Sequence, residues 1–293
     1  MSAPIRTLMF ASANDRERSL KAIAIGASAV CLDLEDAVAK SEKAAAREVV
    51  TGTLADPSVE GANVHVRING VDTEFSDDDL TALGPSLPRL AGVIIPMVES
   101  PDQVRHVADR LDALEREHGV EAGAIRLIAI AETAKGVLAA ADIAGASPRL
   151  RTLLLGPADL SHDLGVELTP DGYELFHARS QLVLAARAAG LENPIDGPFL
   201  GLKDDEGTRT AAQWAKRLGF QGKMVLHPQQ LPIVAEVFAP TPDEVAWAQA
   251  IVDAFAEHEA KGVSAFTMPD GTFVDYPVVY RAQAILRDAT RTP

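Results

Sequence analysis

Three acidic residues are best placed to do chemistry in this chain. Glu132 ends the apolar run RLIAIAE, Asp159 follows TLLLG by three residues, and Asp275 lies in VDYPVVYRA near the C-terminus. The first two follow short apolar runs of the kind that form fully buried strands. A carboxylate beside a buried sheet is costly unless a metal or another cation compensates it. Two of them at equivalent ends of neighbouring strands point to a divalent ion. Hard oxygen ligands with room for waters and substrate oxygens suit Mg²⁺, with Mn²⁺ as the possible alternative. The competing assignment is local: Glu132 caps a helix that begins at Thr133, and Asp159 opens a turn, as acidic residues often do at helix starts. The pairing at adjacent strand ends favours the metal.

Other strand ends carry polar residues as well. Glu35 and Asp36 in LDLEDAV fit two roles equally, holding metal-bound waters as a second layer or capping a helix around Ser41. Arg67, in VRING, interrupts an otherwise apolar strand. A buried arginine needs a partner, and its planar fork matches a substrate carboxylate. An internal ion pair with Glu35 and Asp36 is the structural alternative and does not exclude that role. His227, before Pro228, fits a hydrogen-bonded structural residue better than a base. Asn14, Asp33, Asn69, Glu99 and Asp196 complete a polar rim. No Ser/His/Asp or phosphate-cradling motif stands out.

These positions need a scaffold, and the chain supplies one by alternation. Strand candidates are RTLMFA (6–11), AVCLDL (29–34), NVHVRIN (63–69), GVIIPM (92–97), RLIAIAE (126–132), TLLLG (152–156), NPIDGPF (193–199) and GKMVLH (222–227). Between them lie amphipathic runs. Ser100 and Pro101 open one helix, and Thr169 with Pro170 opens another that runs through Leu175 and Leu182 towards Gly190. Eight β-then-α units imply an α/β protein with parallel strands, and eight is the number that closes a (β/α)₈ TIM barrel. The rival open sheet loses ground because the first turn, FASANDRE, lacks the glycine pattern of a dinucleotide site. The barrel domain is expected over 1–240. Residues 241–293 form a helix–hairpin–helix extension, with Thr241–Pro242 opening a helix and a hairpin turning at Asp270–Gly271. This extension is expected to be too small to bury its own core, so that it packs on the barrel or on a neighbouring subunit.

Composition narrows the function classes. The chain has 293 residues, 47% hydrophobic and 24% charged, with a net charge of −15. Without a lysine and arginine cluster, nucleic acid is not the expected partner. Cys31 is the sole cysteine, so an intrachain disulfide and a cysteine zinc site are both excluded, and its setting in AVCLDL is that of an inert core thiol. No apolar leader or membrane span is evident, which points to a cytoplasmic protein.

The chain resembles the citrate lyase beta-subunit-like family of acyl-CoA lyases, within the aldolase/citrate lyase superfamily. The resemblance runs from about Arg6 to Arg287 and rests on GASAVCLDLEDAV, EKAAAR, VRING, IAETAKGV, GPADLSHDLG, IDGPF, GFQGKMVLHPQQ, FAPTPDEVAWA and VDYPVVYRA, in that order. It implies a Mg²⁺-dependent barrel, commonly a homotrimer or a dimer of trimers. Such enzymes make or break a C–C bond between an acetyl thioester and a 2-oxo acid. By resemblance, Glu132 and Asp159 match metal ligands and Arg67 matches the arginine that grips the oxo acid. Asp275 matches an acid/base residue that reaches a neighbouring subunit's site, while Asn14, Arg16 and Lys43 lie near the CoA arm. Three departures stand out: the first loop reads ASAN where the family usually reads VPGN, Met97 stands where a lysine is common after the proline of the fourth strand, and GPADLS is closer to the wording of class II pyruvate aldolases. The implied substrate is a CoA thioester of the malyl-CoA or citramalyl-CoA type. Free 4-hydroxy-2-oxo acids, thioester hydrolysis and a carrier-protein substrate within a larger lyase complex are the alternatives.

Overall fold

A computed structural model describes residues 3–169 and 171–290. Pro170, expected in a first helical turn, lies outside the described residues. Eight parallel strands close into a barrel in chain order: β1 (Thr7–Ser12), β2 (Ala29–Asp33), β3 (Val64–Arg67), β4 (Gly92–Ile95), β5 (Arg126–Ala131), β6 (Leu150–Leu155), β7 (Ile195–Asp196) and β8 (Gly222–Val225). Helices alternate with them: α1 (Arg16–Ile23), α2 (Lys43–Leu54), α3 (Ser76–Leu83), α4 (Pro101–His118), α5 (Ala134–Leu138), α6 (Ala140–Ala144), α7 (Pro157–Leu164), α8 (Phe176–Ala188), α9 (Asp205–Leu218) and α10 (Gln230–Phe238). The expected (β/α)₈ barrel is the observed fold.

The barrel is filled by strand residues of alternating parity. Leu8 and Phe10, Ala29 and Cys31, Ile128 and Ile130 join Ile94, Leu154 and Ile195 in one buried cluster. Residues of the other parity, such as Met9, Val30, Leu32, Val64 and Val66, are buried too, as parallel strands require when helices cover their outer face. Cys31 is fully buried within this cluster, and burial pushes its thiol well up, so it is the inert core residue expected.

Local chemistry sets the element ends. Ser100 and Gln103 form a capping box on α4, Pro101 occupies its first turn, and Gly119 closes it at φ +69°. Strand β7 is much shorter than 193–199. Pro194 has no N–H to donate, and a Cβ on Gly197 would stand 2.1 Å from Pro157 Cδ and 2.4 Å from the Leu155 carbonyl, so the chain there is a tight passage rather than a ladder. The helix expected from Thr169 starts later. Thr169 instead hydrogen-bonds Asp171 and Glu174, a 3₁₀ turn covers Tyr173–Leu175, and α8 begins at Phe176.

The chain divides into two compact units, the larger over Pro4–Ala235 and the smaller from Glu236 onward. The smaller contains α11 (Pro242–Glu259), the antiparallel pair β9 (Phe266–Thr267) and β10 (Phe273–Val274), and α12 (Tyr276–Ala289). Thr241 and Glu244 form a capping box on α11, and Gly271 turns the hairpin at φ +90°. Contrary to expectation, this unit has an apolar cluster of its own. Ala248, Ile251 and Phe255 of α11 meet Val274, Val279 and Ala282, because the hairpin folds α12 back against α11. No described helix is long and apolar enough to cross a membrane.

The N-terminal side of the barrel is tied by buried ions. Arg149, just before β6, pairs with Glu115 of α4 and with Asp112, and also donates to the Ile125 carbonyl at 3.0 Å. Glu115, fully buried, accepts from the Gly123 and Ile125 amides at 2.8 and 3.0 Å. Burial works against its charge, but Arg149 and the two amides still hold its carboxyl below the usual range. Glu115→Ala removes the buried partner of Arg149 and the acceptor of the Gly123 and Ile125 amides. It leaves the guanidinium only Asp112 and the Ile125 carbonyl, and is expected to cost about 3–5 kcal/mol. Urea denaturation of both proteins checks this; a loss under about 1 kcal/mol, the scale of an exposed pair, would mean the network is solvated.

Candidate active site

The C-terminal ends of β2 to β6 build one mouth. Asp33 ends β2 and Arg67 ends β3, where the two residues are register partners. Arg67 Nε and Nη2 each donate to Asp33 at 2.7 Å, a parallel fork. Asp33 also accepts from the amides of Glu35 and Ala37 at 2.9 and 3.2 Å, so its carboxylate is saturated and fixed. Arg67 Nη1 stands 2.5 Å from Glu35 Oε2 and 3.6 Å from Asp36, and the guanidinium lies 5.3 Å from the Phe10 ring centroid. Burial opposes the charge of Arg67, but Asp33 and Glu35 hold it firmly protonated. The ion pair with Glu35 and Asp36 anticipated from sequence is present. The bidentate partner, however, is Asp33, which the sequence marks only as one residue of the polar rim.

Glu132, at the end of β5, is 3% exposed. Its Oε1 accepts from the Met97 amide at 2.7 Å, and among the described residues no hydrogen bond reaches Oε2. A Cβ on Gly156 would stand 2.2 Å from that oxygen, so glycine at the end of β6 is what lets the carboxylate lie there. The helix-cap alternative fails: Thr133, not Glu132, caps α5 by accepting from the Gly136 amide. Asp159 sits in the first turn of α7 and is exposed. One carboxylate is therefore dry and the other faces solvent.

Glu35 and Asp36 cap no helix; the 3₁₀ turn at Lys40–Glu42 and α2 both start without a side-chain cap. Although Glu35 Oε2 is close to Arg67, its geometry there is not that of a hydrogen bond, and it counts as a buried oxygen without a partner. Burial raises the Glu35 carboxyl to about 7 despite Arg67, with Asp36, Asp33 and Asp159 adding to the rise. Burial likewise raises Glu132 to about 8; the Met97 amide and Arg67 oppose this, while Glu35 and Asp159 reinforce it. Glu35, Glu132 and Asp159 thus repel one another at the mouth. Among the described residues no three or more His, Cys, Asp or Glu side chains gather as a ready-made metal cage. The donor set is two flanking carboxylates with open oxygens, which fits a hard cation that keeps most of its waters.

Met97 follows Pro96 at the end of β4 and has φ +50°, the only non-glycine residue with positive φ among those described. Such backbone costs of order 1–3 kcal/mol and persists only where its surroundings over-determine it. Nothing in the sequence announces it. Beside it opens a cavity of about 560 Å³, lined by Glu35, Lys43, Asn69, Phe75, Met97 and Glu99 among others.

Three residues expected near the CoA arm are otherwise engaged or apart. Lys43 Nζ donates to the Leu34 and Glu35 carbonyls at 2.6 and 2.7 Å and so shapes the β2–α2 loop, while still bordering the cavity. Arg16 turns to Asp56 at 2.6 Å and to the Gly52 carbonyl. Asn14 is exposed after β1. Elsewhere on the rim, Asp196 is buried between Arg179 and Lys223, Asn69 is bound to Asp79, and Glu99 pairs with Lys135 at 3.1 Å. His227 Nδ1 accepts from the Gln229 amide at 3.2 Å, a structural contact. Asp275 is the N-cap of α12 in the smaller unit and accepts from the Val278 amide.

The family model described as HpcH/HpaI aldolase/citrate lyase matches residues 6–228. The citrate lyase beta subunit of Leuconostoc mesenteroides subsp. cremoris is 36% identical over 96% of this chain and 92% of its own length. A (3S)-malyl-CoA thioesterase of Cereibacter sphaeroides is also 36% identical, over 98% of this chain and 95% of its own length. Among solved structures, CitE from Mycobacterium tuberculosis in complex with magnesium, acetoacetate and coenzyme A superposes with a TM-score of 0.80 at 33% identity, covering 99% of this chain and 98% of that one.

The raised carboxyls set the pH response of the cation-free protein. In the folded chain Glu132 keeps its proton up to about 8, whereas an unfolded glutamate loses it near 4.5. Folding therefore takes up protons within that window, and stability falls as pH climbs through it. With chelator present, the melting midpoint is expected to drop between about pH 5 and about pH 8, and Glu132→Gln is expected to flatten the drop. Excess Mg²⁺ at the upper end should restore stability by binding the folded state alone. A midpoint that rises across the window would refute this electrostatic picture.

Proposed function

We propose that this chain, which belongs to the HpcH/HpaI aldolase/citrate lyase family, is a Mg²⁺-dependent carbon–carbon lyase. Its substrate would be a 3-hydroxyacyl-CoA of the malyl-CoA or citramalyl-CoA type, cleaved to acetyl-CoA and a 2-oxo acid. The observation that carries this is the mouth itself: a dry Glu132 and an exposed Asp159 with open oxygens, beside a locked and permanently charged Arg67.

Glu132 and Asp159 would hold the cation, and Glu35 and Asp36 would accept from its waters. Bound there, Mg²⁺ supplies Lewis acidity and a template for the substrate's hydroxyl and carboxylate oxygens. Asp33 occupies the fork of Arg67, so the arginine meets substrate with its remaining outer N–H groups. They would hold the substrate's carboxylate and stabilise negative charge on its hydroxyl oxygen, the one that becomes the carbonyl of the 2-oxo acid. Asp275 protonates the acetyl-CoA enolate that cleavage leaves, and in the condensing direction it is the base. Its place on the extension 241–293 suits delivery to a neighbouring subunit's mouth, in a homotrimer or a dimer of trimers. The CoA arm would run past Asn14 and the outer edge of Lys43.

Hydrolysis of the thioester is the second reading, favoured by the 36% identity to the malyl-CoA thioesterase. A coupled assay with malyl-CoA and citramalyl-CoA, with Mg²⁺ or EDTA, follows 2-oxo acid and free thiol together. Metal-dependent oxo acid is the expected product; thiol without oxo acid would replace the lyase with a thioesterase. Glu132→Gln is expected to abolish turnover. Asp275→Asn should spare Mg²⁺ binding and lower the rate by about 10²-fold or more. Full activity in that variant would remove Asp275 from the mechanism.

A further inference from the structure

Met97 occupies a backbone position that suits glycine, since its φ of +50° lies in the left-handed region that a side chain adopts only under strain. The backbone there holds a neighbour in place. The Met97 amide donates to Glu132 Oε1 at 2.7 Å and fixes that carboxylate. A glycine would do this equally well and without strain. The side chain is nonetheless present, 39% exposed, in the wall of the 560 Å³ cavity beside Glu35 and Asn69. A strained position that keeps a half-exposed apolar side chain over the mouth has a use for that side chain.

We propose that Met97 is the specificity-determining residue for the oxo-acid fragment, and that it selects a fragment bearing a methyl group beside the reacting carbonyl. This rests on the lyase reading above. The oxygens of the fragment are claimed by Glu132, Asp159 and Arg67 through charge, which leaves its carbon substituent to meet what remains of the wall next to Glu132. The Met97 side chain, whose own amide holds Glu132 and which lines the adjoining cavity, would supply that contact. Glu35, Asp36, Asp72 and Glu99 outnumber Lys40 and Lys43 around the same cavity, and Lys43 is directed to backbone carbonyls, which disfavours a second carboxylate on the substrate. A bare hydrogen there would leave the thioether without a contact. The citramalyl type is therefore favoured over the malyl type.

The test measures condensation of acetyl-CoA with pyruvate and with glyoxylate, which differ by one methyl group. It also measures Mg²⁺-dependent binding of each acid by calorimetry and the melting midpoint. The unaltered protein is expected to prefer pyruvate by at least about 10-fold in kcat/KM, the scale of one methyl in an apolar pocket. Met97→Leu should keep the preference. Met97→Gln, similar in size and backbone strain but polar, should lose most of it. Met97→Gly should lose the preference while its melting midpoint holds or rises and its Mg²⁺ affinity stays within about 2-fold, since the amide that holds Glu132 is retained. An unchanged pyruvate-to-glyoxylate ratio in Met97→Gln and Met97→Gly overturns the proposal. So does a lowered midpoint with lost Mg²⁺ affinity in Met97→Gly, which would make the side chain structural. If neither acid binds or condenses even in the unaltered protein, the lyase reading falls, and this inference with it.

Discussion

The mouth depends on one buried contact, the fork between Arg67 and Asp33. A guanidinium at the end of a buried strand is tolerable only if its charge is answered nearby. Asp33 answers it from the adjacent strand and is itself held by two backbone amides. That arrangement fixes the plane of Arg67 and turns the chain at Glu35. It also fixes the positive charge that opposes the rise of Glu35 and Glu132, two carboxyls that burial lifts. Without the fork, the mouth would be an uncompensated cluster of acids. With it, one fixed cation lies beside an excess of negative charge, a setting that calls for a second cation.

Stability and chemistry are separated along the barrel axis. Arg149, Glu115 and Asp112 gather on the N-terminal side, where these three charges answer one another and the carboxyl of Glu115 stays low. The C-terminal side carries the opposite condition: a buried carboxylate oxygen without a partner, two raised carboxyls and one strained residue. Raised carboxyls and backbone strain destabilise a fold, and the mouth that carries them is the end of the barrel expected to act on a ligand. The Arg149 network holds the other end of the barrel whatever strain the mouth carries.

Much of this was legible in the sequence, for reasons that also explain the misses. Strand ends were readable because short apolar runs stop at polar residues, and the barrel mouth is defined by those stops; Glu132, Arg67 and Glu35 meet for that reason. Helix α4 was readable because Ser100, Pro101 and Gly119 each carry a local rule. What residue type does not reveal is which neighbour a side chain chooses. Lys43 looked available, but it bonds the carbonyls of its own loop. Thr169 had the chemistry of a cap and used it on a turn. Asp33 looked like one more rim carboxylate until β2 and β3 were paired in register. By residue count the extension is too small for a core, but a hairpin folds one of its helices onto the other and gives it one. Backbone strain at Met97 leaves no trace in residue type at all.

The unequal surroundings of Glu132 and Asp159 follow from where each sits, and they bear on how a cation would be used. Glu132 closes a strand, so it inherits the dryness of the sheet and is fixed by the Met97 amide, with Gly156 leaving it room. Asp159 is in the first turn of a helix, where the macrodipole favours its charge and water reaches it. Two dry carboxylates would bind a cation strongly but leave it no open side; two wet ones would place it without precision. One of each fixes position from beneath and leaves coordination open above. That is the condition for an ion that must hold most of its waters and then exchange some for the oxygens of a substrate.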